Sequence, residues 1–358
     1  MTKYAVYTIT KNEAHHIARW AESAKDADYR VVVDTGSTDG TAEIAREAGC
    51  TVHVVNISPW RFDDARNASL ALVPYDADLC IALDADEVLA PEWRMHLDGL
   101  NPYVTRPRYK YVWSWNEDGT QGLTYSGDKI HTRIGYRWKH PVHEVITPTG
   151  EEVQDWCGLE IYHHPDNTKP RQYLHLLELA VSEDPTDDRS AHYLAREYLY
   201  HGRIPEAAAE FKRHLALPKA VWAPERAKSM RLLAQCEPDQ EEAWLLKSAA
   251  EYPHGRETWI ALSQYHHRRE NWPQCFAYAT RALSINDRDL TYINEAEAWG
   301  AVPWDLAAIS AYGLHLYDQA LEYGTEAARL APEDPRIVGN VQWYFDRTQR
   351  ESRVSMVS

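Results

Sequence analysis

The sequence predicts a two-domain chain: an α/β domain over residues 1–165 with a mixed, mainly parallel sheet, then an all-α array of helical hairpins over residues 166–358. Three observations predict it. Short apolar runs alternate with helical spacing between Tyr4 and Leu83, strand signals almost vanish beyond Pro170, and apolar positions in the second half recur with a 34-residue period. A chain of 358 residues also suits two cores, because one core seldom grows past roughly 250–300 residues.

The elements follow in order. Tyr4–Ile9, Arg30–Val33, Thr51–Ile57 and Leu79–Leu83 are apolar, β-rich runs, and Asn12–Ser23, Thr41–Ala48 and Asp63–Val73 between them carry helical spacing. Strands and helices that alternate through short connections imply parallel strands covered on both faces. From Arg106 to His164 the pattern changes to alternation (Tyr109, Tyr111, Trp113, Trp115) broken by Asn116-Glu117-Asp118-Gly119, a hairpin turn, so this half should be antiparallel or mixed. Asp166–Pro170 reads as a linker. Beyond it, Leu194, Ala195, Tyr198, Ala207 and Phe211 are answered by Trp259, Leu262 and Ala282 two periods later, and by Trp304, Ala308, Ala320, Ala327 and Pro332 after an insertion at Asp287–Gly300. A degenerate unit closing at Pro253 lies between the first two sets, which makes three to four tetratricopeptide-like repeats.

Composition narrows the function. The formal charge is −16, with −9 in residues 1–165 and −7 in the remainder, so neither half offers the basic surface that nucleic acid demands. No apolar run is long enough for a membrane span and the amino terminus lacks a leader pattern, so a soluble, cytoplasmic protein is expected. The five cysteines (Cys50, Cys80, Cys157, Cys236, Cys275) are scattered and read as reduced thiols. Fourteen Trp and 22 Tyr against four Phe supply flat faces with polar edges, of use both to sugar clefts and to ordinary cores.

The chemistry concentrates at strand ends. Ile81-Ala82-Leu83 runs into Asp84-Ala85-Asp86-Glu87, two carboxylates two residues apart at the sheet edge where α/β folds bind ligands. A diphosphate there would repel each carboxylate by about 4 kcal/mol at 4 Å and an effective dielectric near 20, so a divalent cation is required between them, and oxygen ligands favour Mg²⁺ or Mn²⁺. The second strand ends in Asp34-Thr35-Gly36-Ser37-Thr38-Asp39-Gly40-Thr41, a tight turn into a helix that Asp39 or Thr41 caps. No G-x-G-x-x-G is present, which argues against a dinucleotide fold.

Lys11-Asn12-Glu13, Asp34–Thr41, Ala65-Arg66-Asn67 and Asp84-Ala85-Asp86, in this order, resemble the inverting family 2-like glycosyltransferases of the GT-A fold. The resemblance implies a nucleotide-sugar domain, with a UDP-sugar favoured, in which Thr8, Asn12, Glu13, Asp34, Asp39, Arg66, Asp84 and Arg133 contact the donor. Asp34 would face the base, Arg66 the nucleoside and Arg133 the diphosphate, while Asp86, Asp84 and His143 would hold Mn²⁺ or Mg²⁺. Capping and turn roles remain the alternative for Asn12, Glu13, Asp34 and Asp39. An inverting reaction needs a carboxylate base, for which Glu144 and Asp128 both qualify; Glu144 is favoured for adjoining His143, against a plain salt bridge to Arg137 or Lys139. His163-His164 reads as a domain edge.

Strand-Asp-x-Asp also resembles haloacid-dehalogenase-type phosphatases, but the later Lys and acidic pair are not found. A nucleotidyltransferase would need a Gly-rich basic first loop, which is also missing. A repeat scaffold carrying an inactive transferase domain is the non-enzymatic alternative. Fusion to tetratricopeptide-like repeats resembles the peptide and protein glycosyltransferases of bacteria and phages, which makes a polypeptide the expected acceptor. A glycan, a lipid-linked sugar or a modified DNA base is the alternative acceptor, and the helical array could also carry a homodimer.

Overall fold

A computed structural model describes residues 2–116, 118–165, 173–289 and 291–355. The chain divides into two compact units, one of Met1–Pro185 with Leu290–Tyr292 and the other of Thr186–Asp289 with Ile293–Ser358. Asp166–Pro170, expected to be a linker, lies outside the described residues.

The first unit runs β1 (Tyr4–Thr10), α1 (Ala14–Ser23), β2 (Tyr29–Asp34), α2 (Thr41–Glu47), β3 (Thr51–Val54), α3 (Phe62–Leu72), β4 (Leu79–Ala82), β5 (Glu87–Leu89), α4 (Trp93–Asp98), β6 (Arg106–Val112), β7 (Thr124–Gly127), β8 (Ile130–Thr132), β9 (Tyr136–Lys139), β10 (Val145–Pro148), β11 (Gln154–His163) and α5 (Leu174–Glu183). Its main sheet has the order β3-β2-β1-β4-β8, parallel except where β8 pairs with β4. A second sheet, β5-β11-β6-β7, is mixed, and β9 and β10 make a separate hairpin.

Both faces of the main sheet are covered. From β1, Tyr4 and Val6 join Ile17 and Trp20 of α1 on one face, whereas Ala5 and Tyr7 join Leu70 of α3 and Trp138 of β9 on the other. Such a strand shows a continuous apolar run rather than alternation, which is why β1, β2 and β4 are legible in the sequence. Buried polar atoms are satisfied: the Trp20 indole donates to Leu83 O at 3.0 Å, and the Trp138 indole to the Tyr7 hydroxyl at 3.0 Å. Truncating the fully buried Trp20 to Ala should cost about 3–5 kcal/mol.

Two expected boundaries move for local reasons. The first helix begins at Ala14 because Asn12 sits at φ 57°, its backbone N–H donating to Ser37 Oγ at 2.8 Å. The third strand stops at Val54, before a segment that leads into Pro59.

In the second unit the pairs are α6 (Asp188–Tyr200) with α7 (Ile204–Ala216), α8 (Ala223–Cys236) with α9 (Glu241–Glu251), α10 (Arg256–His267) with α11 (Trp272–Leu283) and α12 (Val302–Gly313) with α13 (Tyr317–Leu330); α14 (Pro335–Ser355) packs on α13. Asp187 caps α6 by accepting from Ser190 N at 2.8 Å. Small residues allow close helix approach: Ala195 and Ala207 meet around Phe211, and a Cβ on Gly324 would lie 2.7 Å from the Tyr344 ring. Between α11 and α12 the chain inserts a segment that holds one 3-10 turn, Ala296–Trp299.

Candidate active site

Parallel register sets the site. Thr10 pairs with Asp34 and Tyr7 with Ala82, so the segments after β1, β2 and β4 emerge at one edge. There Asp34, 2 % exposed, accepts Gly36 N at 2.9 Å and Ser37 N at 2.8 Å on Oδ1, a turn that Gly36 permits with φ 102°. Asn12 Oδ1 accepts Thr38 N at 2.9 Å. Asp39 caps two helices at once, accepting Ala14 N at 3.0 Å and Thr41 N at 3.1 Å, and Glu13 N donates to Thr41 Oγ1 at 2.8 Å. Asn12, Glu13 and Asp39 therefore knit the first two loops together. Thr8, expected to contact the donor, is fully buried within β1, its hydroxyl donating to Ile9 O at 3.2 Å.

Charges gather around Asp84. Arg66, 4 % exposed, donates to Asp84 through Nη2 and to Glu144 Oε1 through Nε at 2.8 Å, while Lys129 Nζ reaches Asp84 Oδ2 at 2.6 Å and Glu87 Oε1 at 3.2 Å. The Arg66 guanidinium also lies 5.1 Å over the Trp138 ring, and its buried Nη1 has no hydrogen-bond partner among the described residues. Burial alone would raise the Asp84 pKa, but Arg66 and Lys129 outweigh it and hold the carboxyl far below the usual range. Burial and then the Asp84 charge push Glu87 upward, and it accepts from Tyr111 OH at 2.6 Å and Asp84 N at 2.8 Å. Lys129 would be lowered by burial, yet Asp84 and Glu87 keep it well above its ordinary value.

Beside this cluster Asp86 Oδ2 faces His163 Nε2 at 3.4 Å. Because a carbonyl only accepts, the 3.1 Å contact of His163 Nδ1 with Trp113 O requires Nδ1–H, which leaves Nε2 turned toward Asp86. Burial would lower the His163 pKa, but Asp86 reverses the sign and raises it. The Trp113 indole stacks on the imidazole at 4.2 Å.

Three expected roles meet a different geometry. The imidazole beside Asp86 is His163 rather than His143, whose ring packs edge-on against Tyr173 at 5.8 Å. Asp128 pairs with Arg106 at 2.9 Å and Arg108 at 3.6 Å, and Glu144 pairs with Arg66 instead of Arg137 or Lys139. Arg133 lies at the opposite edge from Asp84: β8 runs antiparallel to β4, Thr132 pairs with Leu79, and Arg133 N donates to Asp78 O at 3.2 Å. Its guanidinium caps the end of α3 through Val73 O at 3.1 Å and Ala71 O at 3.4 Å. Arg133, expected to face the diphosphate, is thus placed away from the Asp84 cluster, and of the two cations at the ends of β8 it is Lys129 that reaches Asp84.

Glu87, Tyr111, Lys129, His163 and Trp113 are given no site role by the sequence, in which His163 reads as a domain edge and Tyr111 and Trp113 as strand positions. Glu87 adjoins the acidic motif and Lys129 adjoins Asp128, but their convergence depends on strand direction. A second group of ligand-type side chains, Glu13, His15 and His16, has ligand atoms within 4.8 Å of one another at the start of α1. The positive end of a helix and Arg19, which donates to His16 Nδ1 at 2.9 Å, oppose a cation there. All five cysteines are free thiols, and among the described residues no helix is long and apolar enough to cross a membrane.

Residues 5–121 match Glycosyl transferase family 2. An uncharacterized glycosyltransferase of Rickettsia felis is 36% identical over 110 residues, 30% of this chain and 38% of that protein. A TPR repeat-containing protein of Synechococcus elongatus is 29% identical over 151 residues, 41% of this chain and 36% of that protein. The chain thus spans little more than a third of the length of these relatives. Among solved structures, MamA aligns with TM-score 0.35 at 13% identity over 46% of this chain and 83% of its own, and YrrB, a TPR protein, with TM-score 0.39 at 12% over 48% and 84%. The α/β edge that gathers Asp34, Arg66, Asp84 and Asp86 lies in a glycosyltransferase family 2-like domain, and the chain joins that domain to tetratricopeptide-like helical repeats.

Proposed function

We infer that the protein transfers a sugar, with inversion, from a nucleotide sugar, preferentially a UDP-sugar, to a polypeptide acceptor, and that it uses Mn²⁺ or Mg²⁺. The observation that carries the reading is the buried Arg66 Nη1, which has no partner among the described residues and belongs to a guanidinium already joined to Asp84 and Glu144. A buried donor left open costs about 1–3 kcal/mol or more, a cost that an anionic ligand such as a diphosphate would remove.

The donor set suits a divalent cation at Asp86 and His163: one carboxylate, and one imidazole whose Nε2 is left as the ligand atom by its Nδ1–H donation. A bound cation would neutralise charge on the departing diphosphate. Asp84, matched by two cations, then orients Arg66 and Lys129 rather than supplying the main negative charge. Asp34 Oδ1 serves the turn, and Oδ2, which accepts from Thr10 Oγ1 at 3.5 Å, keeps a second lone pair for a base. Glu144 is the base we favour over Asp128, because it shares Arg66 with Asp84; a guanidinium drawn to the diphosphate would release it for the acceptor proton.

Isothermal titration of UDP, GDP and TDP with and without Mn²⁺, followed by a donor-hydrolysis screen of the matching sugars, tests the reading. We expect cation-dependent binding of one nucleotide and slow hydrolysis. Failure of every nucleotide to bind the folded protein would leave the scaffold reading.

A further inference from the structure

We propose that the Trp113 indole is the platform on which the sugar of the donor rests, and that the site therefore accepts a neutral pyranose with an apolar C–H face. The inference rests on the transferase reading above and extends it from the nucleotide to the sugar.

The order of groups along the sheet edge sets a direction. Asp34 ends β2 and Asp84 follows β4, and in the order β3-β2-β1-β4-β8 one strand separates them. Two strand spacings correspond to about 10 Å. From β4 the chain runs through Asp84 and Asp86 into β5 of the second sheet, where Glu87 pairs with His163. His164 N donates to Asp86 O at 2.8 Å, which ties the end of β11 to the acidic motif. A nucleotide with its base at Asp34 and its diphosphate at the Asp84 and Asp86 charges thus brings its far phosphate to His163. The group bonded to that phosphate is the sugar, and the ring stacked on His163 is Trp113.

Trp113 is held for such a contact. Its indole covers the imidazole at 4.2 Å with 25° between the planes, while Tyr111 and Tyr125 meet it tilted, at 6.2 and 6.4 Å. With one face on His163 and 42 % of the residue exposed, the free area belongs mostly to the other face. The backbone is fixed on both sides: Trp113 N donates to Leu123 O at 2.9 Å, and Trp113 O accepts from His163 Nδ1 at 3.1 Å. Little order remains to be imposed when a ligand arrives. A pyranose carries hydroxyls on its rim and C–H groups on its faces, so a flat apolar ring with one polar N–H edge complements it. A charged or acyclic group gains nothing from the same surface.

The test compares nucleoside diphosphates with their sugar conjugates by isothermal titration against the full chain in Mn²⁺: UDP with UDP-glucose, UDP-galactose and UDP-N-acetylglucosamine, GDP with GDP-mannose, and TDP with TDP-glucose. Trp113→Leu should weaken a conjugate about tenfold and leave its parent diphosphate within about twofold, whereas Trp113→Phe should keep most of the affinity. Equal losses for conjugate and diphosphate would mean that the indole stacks on the base or only steadies His163, and would overturn the proposal, as would no loss in either. Those outcomes leave the transferase reading standing; failure of every nucleotide to bind the wild type removes both. If the leucine variant does not fold, fluorine NMR of wild type labelled with fluorotryptophan decides, with the Trp113 signal assigned from Trp113→Phe. The conjugate should shift that signal further than the diphosphate does, and identical shifts overturn the proposal.

Discussion

Asp84 in the α/β unit and Glu295 in the helical unit are each held by a lysine and an arginine, yet the two clusters differ in what they leave open. Asp84 draws its cations from separate elements, Arg66 from α3 and Lys129 from the turn before β8, and Arg66 retains a buried donor without a partner among the described residues. Glu295 draws both from one helix, and its cluster is completed by the segment before α12, whose Ala298 and Trp299 pack into the helical core. On the function proposed above, the first arrangement is completed by an anion. The second is a contact already complete within the helical unit. Substitutions should tell them apart.

The largest effect is expected at Arg66. Arg66→Ala leaves Asp84 to Lys129 alone and takes from Glu144 the cation it pairs with in a mostly buried site, and removing one partner of a buried pair costs about 3–5 kcal/mol. Arg66→Lys should recover only part of this, since an ammonium cannot fork to two carboxylates and still face a third group. Urea unfolding measures the loss. An Arg66→Ala protein as stable as the wild type would show that the Asp84 cluster is no more interlocked than the Glu295 one.

Next come Asp86→Asn and His163→Ala, each expected to lower cation-dependent transfer about 10²–10³-fold while the melting temperature stays close to that of the wild type. EDTA should mimic both. His143→Ala provides the contrast, with a smaller effect, and a reversal of the His163 and His143 results would restore the original ligand assignment.

Acid should separate the clusters further. The Glu295 carboxyl is half-buried, which alone would raise its pKa, but Arg231 and Lys228 bring it from 4.5 down to about 2. A depressed carboxylate contributes stability that is complete above pH 4.5 and lost as pH falls toward about 2. Its partial exposure to solvent limits the contribution to roughly 1 kcal/mol. Glu295→Gln should therefore flatten the stability profile across that window and leave the profile near neutrality merely lowered; a profile parallel to the wild type would sink the assignment.

How much of this was legible depended on range. Strands β1, β2 and β4 announce themselves because both faces are buried, and Asp84-Ala85-Asp86 marks the edge they share. Ala195, Ala207 and Phe211 likewise reveal a repeat through local spacing. His163 reaches Asp86 only because β11 pairs antiparallel with β5, placing His163 opposite Glu87 across a long stretch of chain that periodicity cannot see. The acidic motif thus identified one half of the site and pairing supplied the other. Insertion 287–300 was visible as a break in phase, but not the two cations of α8 that it meets.

The smallest effect, and the sharpest check on strand direction, belongs to Arg133. Lys129 and Arg133 stand at the two ends of β8, and the antiparallel pairing of β8 with β4 sends the first to Asp84 and the second to Asp78. Were β8 parallel, their places would be exchanged and Arg133 would face the charge cluster. As it is, Arg133 caps the last carbonyls of α3, a contribution of about 0.5–1.5 kcal/mol. Arg133→Ala should lower stability by that amount and leave nucleotide affinity unchanged. Lys129→Ala should weaken nucleotide binding, because Asp84 would then answer to Arg66 alone and hold it back from an incoming anion. Titration of the nucleotide against both variants, with urea unfolding as the control, is the measurement. An affinity loss in Arg133→Ala larger than in Lys129→Ala would mean that the cation serving the diphosphate is Arg133, as the sequence resemblance implied.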